Sequence, residues 1–175
     1  MKFHSTVIAC LFATAAFAAD SPTRFKVSSL TFDRPAKWES VEPTSAMRKA
    51  QLKVSDADKK QSAEIVFFHF GPSNGGGVQA NVERWFRQFD GPREKVAAKS
   101  EEAKVGSHKI TYVQAEGTYM SGMPGGPTTP QPNHALRGAI IENPDGDVFV
   151  KMTGPAALVK ASEPDFKKMV ENALK

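Results

Sequence analysis

The chain of 175 residues has a single cysteine, Cys10, and only two tryptophans, two tyrosines and four histidines. One thiol cannot form an intrachain disulfide or a thiolate metal cluster, so neither can hold the fold together. Net charge is also scarce: 23 basic side chains face 19 acidic ones, leaving +4, too little to argue for nucleic acid or a membrane surface. After the first 19 residues no unbroken apolar run is longer than that of Ile65–Phe68, far short of the ~20 residues a membrane-spanning helix needs. No internal repeat or heptad runs through the chain, and the composition excludes collagen, a coiled coil and wholesale disorder.

What is present begins with an export signal. Met1-Lys2-Phe3-His4 is a short basic start, and an uncharged, largely apolar run follows from Ser5 to Ala19. Ala16-Phe17-Ala18 places small residues where a signal peptidase reads them, so residues 1–18 are expected to be a signal peptide cleaved after Ala18. Val7-Ile8-Ala9-Cys10 has the letters of a lipobox. That reading leaves only Ser5–Ala9 as the apolar segment, below the ~7–15 residues expected, so simple export is preferred. Cleavage removes Cys10 and Lys2 and leaves residues 19–175 as one domain, placed in the periplasm or secreted.

Patterning along that domain predicts strands first. Leu30-Thr31-Phe32 is a short strand, with a turn at Arg34–Lys37 ahead of Trp38. Ala50, Leu52 and Val54 alternate with Gln51 and Lys53, the period of a half-buried strand. Glu64–Phe70 is apolar on both faces and suits a central strand. A helix is expected over Val78–Phe89, with Val78, Val82, Trp85, Phe86 and Phe89 on one face and Gly91-Pro92 ending it. Val96–Lys104 reads as an edge strand, Val105–His108 as a hairpin turn, and Lys109–Tyr119 as a long strand. Ser121–His134, with four prolines and three glycines, reads as an irregular loop. Ala139–Ile141 and Val148–Met152 are strands joined at Asn143-Pro144-Asp145-Gly146. Ser162 is expected to cap a last helix with Pro164 and Asp165 in its first turn and Phe166, Met169, Val170, Ala173 and Leu174 buried. Hairpins outnumber crossovers, which gives an α+β fold with a mostly antiparallel sheet.

Leu30-Thr31-Phe32 with Pro35 and Trp38, and the ending Val148–Pro155 before a last helix, resemble the PsbP-like fold of the photosystem II extrinsic protein and a small Ran-binding import factor. Gly117-Thr118-Tyr119, Leu136–Ile141 and Thr153-Gly154-Pro155 are similar to a group of uncharacterised exported bacterial proteins. The resemblance implies an antiparallel sheet flanked by helices. It carries over no functional residue, because the fold serves unrelated roles.

Four sets of residues could carry chemistry. Gly71-Pro72-Ser73-Asn74-Gly75 has the letters of a nucleophile elbow, with Asp90 and His108 or His134 to complete a triad. The chain is short for that fold, lacks a parallel strand–helix unit, and interposes Asn74–Gly77 before the helix. Gly75, Gly76 and Gly77 could instead present backbone N–H groups to a small anion at the helix N-terminus, although no lysine follows as in a P-loop. His69, His108 and His134 have no metal-binding spacing, and no metal or other cofactor is expected. Arg84 and Arg87 flank Trp85, with the ring expected on the buried face and the arginines in water. The resulting expectation is a non-catalytic exported domain that holds an envelope or periplasmic protein through its loops. The alternatives are an anion binder at Gly71–Gly77 and a serine hydrolase at Ser73.

Overall fold

The computed structural model describes residues 24–122 and 126–175. The expected signal peptide, with Cys10, and the Met123–Gly125 part of the expected loop lie outside the described residues. Nine strands and two helices follow one another among them: β1 (Arg24–Val27), β2 (Leu30–Asp33), β3 (Glu39–Val41), β4 (Arg48–Ser55), β5 (Ser62–His69), α1 (Val78–Phe86), β6 (Lys99–Val105), β7 (His108–Gly122), β8 (Thr128–Ile141), β9 (Val148–Pro155) and α2 (Ala156–Asn172). Seven strands form one sheet in the order β3-β4-β5-β9-β8-β7-β6, every neighbouring pair antiparallel. The expected α+β architecture is what the chain adopts.

The sheet is covered on both faces, and its alternation divides the core in two. On one face Ala63, Ile65 and Phe67 of β5 and Val148, Val150 and Met152 of β9 pack under α2 and the β1–β2 hairpin. Phe25, Phe32 and Phe67 meet there with ring centroids 5.0–5.6 Å apart. On the other face Leu136 and Ile140 of β8 and Phe149 of β9 pack under Val82, Trp85 and Phe86 of α1. Gly138 makes the close approach possible, since any side chain there would collide with the Trp85 ring.

Both helices differ from the sequence expectation at one boundary. Helix α1 stops at Phe86 rather than Phe89, because beyond β6 the edge of β7 competes for the chain. Met120 N–H donates to the Gln88 carbonyl at 2.7 Å, Asp90 N–H to Thr118, and Phe89 bridges Tyr119. Helix α2 starts at Ala156, so Ser162 is a buried mid-helix residue and not a cap. Burial of Val159 against the sheet extends the helix backwards, and Pro164 lies on its exposed side, where water can meet the freed Lys160 carbonyl.

The expected irregular loop over Ser121–His134 is largely strand. Ser121 pairs with Thr129, Gly122 with Thr128 and Tyr119 with Gln131, so β7 and β8 run on past the sheet as a two-stranded arm. The prolines are accommodated by register. Met120 spends its N–H on Gln88, so its partner Pro130 occupies a pair that asks β8 for no N–H. Pro132 and Asn133 form a bulge opposite Thr118, with Asn133 at φ 54.

Candidate functional site

A groove of about 1230 Å³ opens on the α1 face, beside the helix. Its floor is Glu64, Val66 and Phe68 of β5 with Lys151 and Thr153 of β9. One wall is Arg84, Arg87 and Gln88, spaced three and four residues apart so that they share the side of α1 turned away from Val82 and Phe86. The β7–β8 arm closes one end with Tyr119, Met120 and Gln131, and the β3–β4 connection forms the opposite wall with Thr44 and Met47.

The half-buried Lys151 lies at the centre. Its Nζ donates to Gln88 Oε1 at 3.2 Å and to Tyr119 Oη at 3.4 Å, and stands 5.8 Å from the Tyr119 ring centroid. Phe89 meets that ring edge-on at 5.4 Å from the other direction, so the same detour that shortens α1 also positions Tyr119. Desolvation pulls the Lys151 ammonium down to about 8; Glu64 opposes the shift and Arg48 adds to it. Desolvation likewise raises the Tyr119 hydroxyl above its ordinary value.

The charges around Lys151 are unevenly paired. Glu64 accepts from Arg48 at 2.7 Å and from Gln51 at 2.8 Å, and Lys53 reaches Glu39 at 3.0 Å. Among the described residues, Lys151, Arg84 and Arg87 have no salt-bridge partner. Five cations and one carboxylate line a groove in a chain whose whole formal charge is +4. The excess positive charge is therefore concentrated here. A half-buried cation without a counter-ion is costly to hold, and such groups cluster at functional sites.

The residues singled out from sequence fall in different places. Arg84 and Arg87 stand in the groove wall with Trp85 buried behind them. Gly75, Gly76 and Gly77 form the turn into α1, away from the groove lining. The carbonyls of Gly75 and Gly77 both accept from Asn81 Nδ2 at 2.7 Å, and Gly75 packs so closely on the Phe149 ring that a side chain would not fit. Ser73 is exposed at the end of the sheet marked by the His69–Val148 and Val148–Ile141 pairs. His134 pairs with Pro155 at the opposite end, about 20 Å away along β8 at ~3.3 Å per residue, and Asp90 binds Thr118 at that same far end. The triad that would serve Ser73 is not assembled from those two. His69 Nδ1 lies 3.3 Å from the Asp147 carbonyl, His108 sits at the β6–β7 turn, and only His134 reaches the groove.

Lys151, Tyr119, Gln88 and Glu64 were not singled out from sequence. One signal was available: Val148-Phe149-Val150-Lys151-Met152 puts a lysine inside a strand that is apolar on both faces. A charge at such a position has to be explained by what faces it.

No protein-family profile and no curated protein matches the sequence. Among solved structures, the solution structure of cyanobacterial PsbP from Synechocystis aligns with a TM-score of 0.54 at 9% identity, covering 91% of this chain and 95% of that one. The fold is PsbP-like. A crystal structure of a Pseudomonas aeruginosa protein of unknown function aligns with a TM-score of 0.43 at 13% identity, over 86% of this chain and 94% of that one. At 9% identity a PsbP-like fold is all that the cyanobacterial protein shares with this chain, and function has to be argued from the groove. Among the described residues of this PsbP-like chain, no helix is long and apolar enough to cross a membrane.

Proposed function

We propose that the chain is an exported, non-catalytic binding domain that holds an envelope or periplasmic partner in the groove beside α1. The observation that carries the reading is the set of three cations, Lys151, Arg84 and Arg87, that converge on one groove with no carboxylate in salt-bridge contact among the described residues. Paired cations consolidate a fold, whereas cations left open along a concave surface supply complementarity to an anionic partner. The β7–β8 arm at one end and the β3–β4 connection on the wall opposite α1 stand at the margins of a rigid sheet, a usual carrier of binding residues. The signal peptide expected over residues 1–18 supports an extracytoplasmic partner.

Affinity capture from the native cell envelope tests this with three baits: the wild-type chain, the double variant Arg84→Glu/Arg87→Glu, and Lys99→Glu on β6 outside the groove. A partner retained by the first and third and lost by the second is the expected result. Equal capture by all three would place the interface elsewhere.

A further inference from the structure

The donors and acceptors around Lys151 are out of balance, and the imbalance specifies what the groove can hold. An ammonium has three N–H donors, and two are spent on Gln88 Oε1 and Tyr119 Oη. Tyr119 accepts there, which leaves its own O–H to donate, and the Gln88 amide keeps its NH₂ group. Glu64 accepts from Arg48 and Gln51 through Oε1, and its Oε2 is one acceptor against the third ammonium N–H, the Tyr119 O–H and the Gln88 NH₂. The centre of the groove therefore offers surplus donors, a pattern matched by a carboxylate, which accepts only.

Two further features extend the ligand beyond one carboxylate. Arg84 and Arg87 continue the positive charge along the α1 wall, one turn apart, so several anionic groups are called for. Beside these charges the groove has apolar surface, with Phe68 on the floor, Met120 on the arm and Met47 on the opposite wall, 62% exposed. An extended polypeptide in which acidic and apolar side chains alternate satisfies both, because its side chains point to opposite sides in turn. A polyanionic glycan has the charge but offers no apolar side chains to that lining.

Resting on the groove reading above, we infer that the ligand is an acidic, extended peptide segment of the partner, with one carboxylate accepting from Lys151 Nζ and Tyr119 Oη and others facing Arg84 and Arg87. Binding then draws on the protonated form of Lys151. The groups facing it are Glu64 from β5, Arg48 from β4, Gln88 after α1, Tyr119 from β7, and Arg84 and Arg87 across the groove. The seated carboxylate favours the ammonium and raises its pKa, so affinity should be full below about pH 8 and fall as the pH rises above it.

The test is fluorescence anisotropy with a rhodamine-labelled peptide in which glutamate alternates with valine, against the same peptide carrying glutamine. The glutamate peptide should bind at least about tenfold more tightly, the scale of one charge-assisted hydrogen bond. Lys151→Gln should remove most of that preference and Lys151→Arg should retain part of it. Wild-type binding should weaken between pH 7.5 and 9.5, a readout that requires no variant to fold. Equal binding of the two peptides, an unaffected Lys151→Gln variant, a flat pH profile, or tighter binding of polygalacturonate than of the glutamate peptide would each overturn the inference. Groove-dependent capture from the envelope together with failure of the peptide would leave the groove reading standing and remove only the peptide. Capture indifferent to Arg84 and Arg87 would remove both.

Discussion

Each face of the sheet holds one cation in its middle, and the two are treated in opposite ways. On the α2 face Arg137, with a side chain 8% exposed, donates to Glu163 Oε2 at 2.7 Å, to Glu116 Oε1 at 3.2 Å and to the Leu136 carbonyl at 3.0 Å. Lys160 and Lys167 tie the same two carboxylates at 2.8 and 3.2 Å. On the α1 face Lys151, one strand away, has hydrogen bonds to neutral groups and no carboxylate of its own. Arg137 closes a network that pins α2 to the sheet, because Glu163 comes from α2 and Glu116 from β7. Lys151 leaves its network open toward water. The contrast separates a cation that holds the fold from one that is held ready by it.

The largest effect should come from removing what fixes the groove wall. Phe86 is 6% exposed beneath α1, and Phe86→Ala would leave a cavity costing about 3–5 kcal/mol in chemical unfolding. Peptide binding should fall with it even where the variant stays folded, because Arg84 is on that helix and Arg87 and Gln88 follow directly from its end. Unchanged stability would show that α1 is not seated by this ring.

Next, Arg137→Met should cost about 1–3 kcal/mol, since it removes the buried centre of the network and leaves Glu116 and Glu163 only their outer pairs with Lys160 and Lys167, while leaving the groove's affinity for the peptide unchanged in the folded fraction. The network also has a pH signature. Burial opposes ionisation of Glu116, and hydrogen bonds from Lys160 and Arg137 outweigh it, holding its pKa below the ordinary carboxylate value. In Glu163 the same burial is outweighed by bonds from Arg137 and Lys167. Both carboxylates contribute stability above their unfolded-state pKa, and that contribution is lost as the pH falls through the lowered folded-state values. Acid titration should therefore destabilise the wild type more steeply than Arg137→Met, and parallel acid limbs would refute the assignment.

Lys151→Met should act in the reverse sense. The folded state holds this amine at about 8 against about 10.4 unfolded, so burying the charged form costs stability below about pH 8, and the cost fades between there and pH ~10.4. The variant should gain about 1–3 kcal/mol at neutral pH, lose that advantage near pH 10, and no longer prefer glutamate over glutamine peptides. A destabilised Lys151→Met would make the lysine structural, like Arg137, and erase the difference between the two faces.

Sequence patterning reached the sheet because its signals are local. The two-sided apolar run of β5, the turn at Asn143–Gly146 and the alternation in β4 each act within a few residues. The arm was hidden for the opposite reason: proline and glycine content says how weak a strand is alone, whereas the pairing of Pro130 depends on where Met120 sends its N–H. Helix α2 was misjudged at its start because Ser162 has the chemistry of a cap, and only the packing of Val159 shows that the helix is already under way. The groove was the least legible. Gln88, Tyr119 and Lys151 lie far apart in sequence, and they meet only because the chain after α1 abandons the helix to pair with β7.

The smallest change in stability should give the cleanest view of the open face. Arg87 is exposed on the side of α1 away from Val82 and Phe86, and no salt bridge holds it among the described residues. Arg87→Ala should therefore alter unfolding free energy by no more than about 0.5 kcal/mol. Its effect should appear in binding and chiefly in the salt dependence of binding, because an exposed cation acts over a Debye length of about 8 Å at physiological ionic strength. Peptide affinity measured from low to high salt should fall less steeply for Arg87→Ala than for the wild type, and the two curves should converge at high salt. Lys151→Gln should instead stay weaker across the whole range, because the lysine is partly desolvated and poorly screened. Two variants with the same salt slope would mean that wall and floor act as one diffuse field, and the seated carboxylate at Lys151 would lose its distinct role.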